Sequence, residues 1–186
     1  LDKLRNTLRT TLIDIWEYVI PIWKISGLFK RIKSKKDLEN FIQERSAHVS
    51  QTTLYGYLKT RIGVKYIAMM EDEVFLKSIN IAKWNIYVVA LADCAFYVFS
   101  YLISEKNLKE NDCKEIFLNI LENEKKNGLS DEIFDRGKKN FLERLDKVNF
   151  SNYHLNDPFK ESGQALYYWS PIADELKSLD KKIVLN

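Results

Sequence analysis

The sequence predicts an all-α protein, a single-domain helical bundle around one long apolar central helix spanning about residues 71–104. Three observations point there. Only six glycines and three prolines occur in 186 residues, too few turn formers for a chain of many short strands. Apolar residues recur at steps of three and four along most of the chain, the spacing of a helix face. The stretch "WNIYVVALADCAFYVFSYLI", residues 84–103, is apolar at seventeen of its twenty positions. A helix apolar on all sides belongs at the centre of a bundle. With 46% hydrophobic residues, including four Trp, ten Tyr and ten Phe, the chain can build one sizeable core. It is too short for two ordinary domains.

Each element follows from local pattern. Leu1, Leu4, Leu8, Leu12, Ile15 and Val19 mark an amphipathic first helix, which Pro21 kinks or restarts. The following "PIWKISGLFKRIKSKK" is basic, and no acid occurs between Tyr18 and Lys36. Residues 1–36 therefore form an N-terminal segment with nine basic and three acidic residues, whereas 37–186 carry twenty basic and twenty-three acidic. Ser34 and Asp37 resemble a capping box, opening a helix that should end at Gly63. Its apolar face is inconsistent. Leu38, Ile42 and Val49 share one side, and Leu54, Leu58 and Ile62 lie nearly opposite. Either the helix bends near "SQTTLYG" or both sides are buried.

A short segment at Tyr66–Met70 precedes the central helix, whose Glu71, Asp72 and Glu73 complement the helix dipole. "NDCKEIFLNILENEKKNG" reads as a helix with an Asn or Asp cap and Gly128 as its stop, and "SDEIFDRGKKNFLERLDKV" repeats that layout with Ser130 as cap. Residues 148–162 read as loop, and "ESGQALYYWSPIADELKSLD" as two short helices broken at Pro171. Leu1 is not a natural start and "KKIVLN" stops in mid-pattern, so the bundle domain, 37–186, is expected to be truncated at its C-terminus.

Residues 84–103 are long enough to cross a membrane, since twenty residues at about 1.5 Å each match a hydrocarbon layer of roughly 30 Å. A central carboxylate costs about 2.5–3.5 kcal/mol on insertion, and the apolar neighbours of Asp93 can offset that. Context favours the core. The helical pattern continues upstream through Phe75, Ile79 and Ala82, and no other segment could be a second span. Asp93 then needs a partner, expected from the preceding helix among Arg45, His48, Tyr55, Lys59 and Arg61, with Arg45 or Lys59 foremost. The same residues could line an inter-helix pocket.

Several chemistries are excluded. No two glycines are close enough for G-x-S-x-G, G-x-G-x-x-G or the phosphate-binding P-loop. Only His48 and His154 are present, too few for a di-iron or zinc site. Cys94 and Cys113 read as reduced, buried thiols. No catalytic residue, metal or cofactor is therefore expected. The basic excess is local and is not the footprint of a nucleic-acid-binding domain.

The stretches "FIQERSAHVSQTTLYGYLKTRIGVKYIAMMEDEVFLKSINIAKW" and "SGQALYYWSPIADELKSLDKKIVLN" resemble a poorly characterised family of alphaproteobacterial cytoplasmic proteins. The likeness rests on the Gln51–Tyr57 run, on Phe75 with Ala82 and Trp84, and on Pro171 followed by Asp180. It implies a cytoplasmic location and no agreed activity, although "esterase" is a label some members carry. Leu54-Tyr55-Gly56 before a long helix is also similar to the ubiquinol–cytochrome c chaperone family, helical assembly factors of a membrane complex. Those carry a histidine motif where this chain has Ile81-Ala82-Lys83-Trp84.

The function expected is that of a non-catalytic helical binding or assembly factor. Trp16, Trp23, Leu28 and Phe29 beside Lys24, Lys30, Arg31, Lys33, Lys35 and Lys36 would suit a protein partner or an anionic membrane, peripheral on its inner face. The alternative is a small-molecule-binding protein or enzyme with a pocket around Asp93. A homodimer built on exposed aromatics is a third expectation.

Overall fold

The computed structural model describes the backbone of residues 31–184, with side chains as far as Lys181. The chain divides into two units, Leu1–Ser34 and Lys35–Asn186, and the helices below belong to the second. They are α1 (Lys35–Ile62), α2 (Glu73–Ser104), α3 (Glu110–Lys126), α4 (Asp131–Leu145), α5 (Lys160–Trp169) and α6 (Asp174–Val184). A 3-10 turn and the one-turn helix Tyr66–Met69 join α1 to α2, and the 3-10 turn Tyr153–Leu155 lies between α4 and α5. Among the described residues there is no strand.

α1 runs unbroken through "SQTTLYG". Its inward residues are Leu38, Ile42, Ser46, Ser50, Leu54 and Leu58, one every four positions. Four residues advance a 3.6-residue helix by about 40° beyond a full turn. The buried row therefore winds around α1, and its two ends face nearly opposite ways. Ser46 and Ser50 form the bridge between them. Each hydroxyl donates to the carbonyl four residues back, Ser46 to Ile42 and Ser50 to Ser46, both at 2.7 Å, so neither enters the core unsatisfied. Val49, read as part of this face, is exposed.

α2 is the central helix. It is the one described helix long and apolar enough to cross a membrane, and 61% of its most apolar window is buried inside the protein. Asp72 caps it from just outside, its carboxylate accepting from Phe75 N at 2.8 Å. Two apolar clusters surround it. Leu54 and Leu58 of α1 meet Phe75, Ile79, Ala82 and Ile86 of α2 and Leu166 of α5 in the smaller one. The larger gathers the first half of α1, the second half of α2, α3, α4 and Phe150. Phe117 and Phe141 stack there at 3.6 Å between ring centroids, and Phe96 stacks on Phe141 at 4.8 Å.

Ile116, Phe117, Ile120 and Leu121 of α3 are all fully buried. Lys109, not an Asn or Asp, stands at the N-cap of α3, without a side-chain bond. The stop at Gly128 has φ +102°, a backbone state that L side chains disfavour. α4 is capped by Ser130. It crosses close to α2 at Gly137, where an added Cβ would lie 2.4 Å from Val88 Cγ1. Glu124 of α3 is buried and accepts from Tyr87, Gln43 and Asn127, which ties α1, α2 and α3 in one polar layer. The break at Pro171 separates α5 from α6. α5 begins at Lys160, inside the stretch read as loop.

Candidate functional site

Asp93, midway along α2, is fully buried. Its Oδ1 accepts from Arg144 Nη2 at 2.6 Å, and its Oδ2 from Ser162 N at 2.8 Å and Ser162 Oγ at 2.5 Å. The two donors sit where helix electrostatics favours them. Ser162 is the third residue of α5, whose N-cap Phe159 makes no side-chain bond. Asp93 therefore caps α5 from another helix, its negative charge at the positive helix end. Arg144 lies in the last turn of α4, a cation at the negative end. The pair joins two helix termini through the central helix. The same Nη2 donates to Tyr153 Oη at 2.9 Å, which in turn donates to the Pro158 carbonyl at 3.0 Å. The guanidinium lies 4.8 Å over the Phe96 ring. Burial pushes the Asp93 carboxyl above the usual aspartate range, against the opposing pull of the Arg144 charge and the Ser162 bonds.

The partners expected from α1 lie elsewhere. Arg45 is placed over the Phe41 ring, at 5.6 Å. His48 and Lys59 are exposed. Tyr55 packs against the smaller apolar cluster, and Arg61 pairs with Asp180 of α6. The cause is the winding face of α1. At this height it turns Ser46 inward, beside Cys94, about 100° around α2 from Asp93. The acid faces the ends of α4 and α5. Of the residues expected to meet a partner or membrane, Trp16, Trp23, Phe29 and Lys30 lie outside the described residues. Arg31 and Lys33 are exposed. Lys35 bridges Asp112 and Glu115 of α3, and Lys36 pairs with Glu39.

Above the Asp93–Arg144 pair a shallow pocket of about 290 Å³ opens. Phe96, Val148 and Tyr153 form its apolar wall, and Arg144, Lys147, Asn149, Asn152 and Asn156 its polar rim. Among the described residues no acid lines it. Apart from Asp93, none of this site rests on a residue singled out in the sequence; Arg144, its actual partner, was not among the residues expected. The signal that could have found Arg144 is its place in a last helical turn, where a cation can meet a buried acid.

A serine–histidine contact also occurs, and its geometry argues against a nucleophile. Ser100 Oγ lies 2.6 Å from the Phe150 carbonyl and 2.7 Å from His154 Nδ1, and it accepts from His154 N at 3.1 Å. Its single proton must go to the carbonyl, which has none of its own. Nδ1 is then the donor to Oγ, the reverse of what a general base requires. Ser100 is fully buried as well. The contact clasps the 150–155 turn to α2. Neither cysteine is an activated thiol. Burial pushes Cys94 up, and burial with the nearby Glu110 and Asp112 charges pushes Cys113 up to about 12.

No protein-family model, curated protein or solved structure matches this chain.

Proposed function

We propose that this chain is a non-catalytic helical binding protein that holds a small molecule in the pocket above the Asp93–Arg144 pair. One observation carries the reading. Arg144 is anchored on one side by a buried carboxylate and a tyrosine hydroxyl, yet its side chain remains 28% exposed where it lines a pocket. An arginine held in advance loses little freedom when a ligand arrives, and apolar walls with a few convergent polar groups are typical of ligand sites. Docking of the N-terminal segment on an anionic membrane gains less support, because Lys35 and Lys36 are engaged by Asp112, Glu115 and Glu39.

Amide NMR of the labelled protein against a fragment set of neutral, cationic and anionic compounds tests this. Fragments should shift the amides of Asn149, Asn152 and Tyr153 first. A set that leaves those amides unmoved at millimolar concentration refutes the pocket.

A further inference from the structure

We infer that the ligand of this pocket is a small organic monoanion, a carboxylate with a compact apolar body. The inference rests on the pocket reading above and adds the ligand's charge and chemistry. Its basis is a charge count. Asp93 neutralises Arg144 from behind, and among the described residues no acid lines the pocket. Lys147 on the rim is exposed and pairs with no acid among the described residues. Among the residues that line the pocket one positive charge is therefore left unpaired, while the Glu161 carboxylate acts on Tyr153 from outside the lining. A single carboxylate balances that positive charge, whereas a doubly charged phosphate would leave one negative charge in excess in the pocket, beside a guanidinium that Asp93 already neutralises.

The hydrogen-bond inventory agrees. Both hydrogens of Arg144 Nη2 are engaged, by Asp93 and Tyr153. The remaining guanidinium N–H groups make no bond among the described residues, and none of them is both buried and unpaired. They are donors that reach solvent. The Asn149 side chain accepts from Ser151 N and leaves its NH₂ free to donate. Asn156 Nδ2 already donates to the Asn152 carbonyl, so the unengaged donors of the lining include those of Arg144, Lys147 and Asn149, two of them cationic, and an ionised carboxylate is an acceptor for such donors. The Phe96, Val148 and Tyr153 wall takes the apolar body. A volume of about 290 Å³ lies just below the usual range of ligand sites, which suits a small body better than a nucleotide or a long acyl chain.

The test uses matched pairs at pH 7: benzoate, 4-methylpentanoate and indole-3-acetate, each against its own carboxamide, with phenyl phosphate beside benzoate. Titrations follow the amides of Asn149, Asn152 and Tyr153. At least one carboxylate should bind about tenfold more tightly than its amide and more tightly than phenyl phosphate. Lys147→Gln should remove most of that preference while the circular dichroism and Tm stay unchanged. Amides that bind as well as their acids, or a tighter phenyl phosphate, overturn the charge assignment and leave the pocket reading standing. Compounds that all fail to shift those amides overturn the pocket and the assignment together.

Discussion

Two buried aspartates in this protein are each held by an arginine and accompanied by a tyrosine hydroxyl, and they do different work. Asp93 in α2 meets Arg144, Ser162 and, through the arginine, Tyr153. Asp180 in α6 meets Arg61 and accepts from Tyr57 at 2.9 Å. The aspartates are almost equally buried and the arginines almost equally exposed, at 28% for Arg144 and 32% for Arg61. They differ in completeness and place. Around Asp93 no polar side-chain atom is both buried and unbonded, whereas Arg61 Nε is. The first pair pins three helices at the centre, and its arginine lines a pocket. The second ties a peripheral helix to the end of α1. A buried ion pair is by itself no sign of a site; what sets the first apart is an arginine with bonds on one face and open space on the other.

The largest effect should come from Asp93→Leu. It strands the Arg144 charge and removes the cap of α5, and breaking such a pair costs about 3–5 kcal/mol. Urea unfolding measures it. The double variant Asp93→Leu/Arg144→Met, with no charge left to strand, should recover much of the loss. A single variant as stable as the parent would show that the pair carries nothing at the centre.

Asp180→Leu should cost less, about 1–3 kcal/mol. Arg61 can turn toward solvent, and α6 can release without opening the main core. The expected signature is faster amide exchange in α6 with protection in α2 retained. Equal global losses in the two variants would erase the distinction between centre and periphery.

How far all this was legible follows from which signals are local. The central helix, the break at Pro171 and the cap at Ser130 are written in neighbouring residues, and each is found where its residues stand. The winding face of α1 was half legible. Its leucines carry a hydrophobic signal, but Ser46 and Ser50, which join the two ends, do not, because their burial rests on backbone bonds that appear only once the helix has formed. The need of Asp93 for a basic or hydroxyl partner was legible from its apolar surroundings. The identity of that partner was not, since periodicity tells which face of a helix is apolar and not which helix covers it. Arg61 was expected to meet a buried aspartate and does so, but that aspartate is Asp180. The pocket belongs mostly to the 147–156 link, a stretch with no periodicity to read.

Smaller effects should come from the tyrosines. Tyr57→Phe and Tyr153→Phe each remove one hydroxyl from an aspartate–arginine group, at a cost of about 1 kcal/mol. Stability alone will not separate them. Spectra should: Tyr153→Phe should shift the amides of Asn149 and Asn152 at the pocket, and Tyr57→Phe should leave them in place. Pocket shifts from both would mean that the two groups are coupled through the core.

The smallest effect concerns protons. Burial holds the Asp93 carboxyl above its ordinary value of 3.8, although the Arg144 charge and the Ser162 bonds pull the other way. The folded protein therefore binds this proton more tightly than the unfolded chain does, and stability falls with pH wherever the folded state holds more protons. The contribution of the group is fully present below 3.8 and is lost as pH rises through the folded value. Asp93→Asn, which cannot titrate, isolates it. The unfolding free energy of the parent minus that of Asp93→Asn should decline as pH climbs from the ordinary aspartate value, then level off once Asp93 is ionised in both states. A difference that grows over that interval would mean that Arg144 and Ser162 outweigh burial. The group would then be an ordinary stabilising ion pair, and the contrast with Asp180 would rest on the pocket alone.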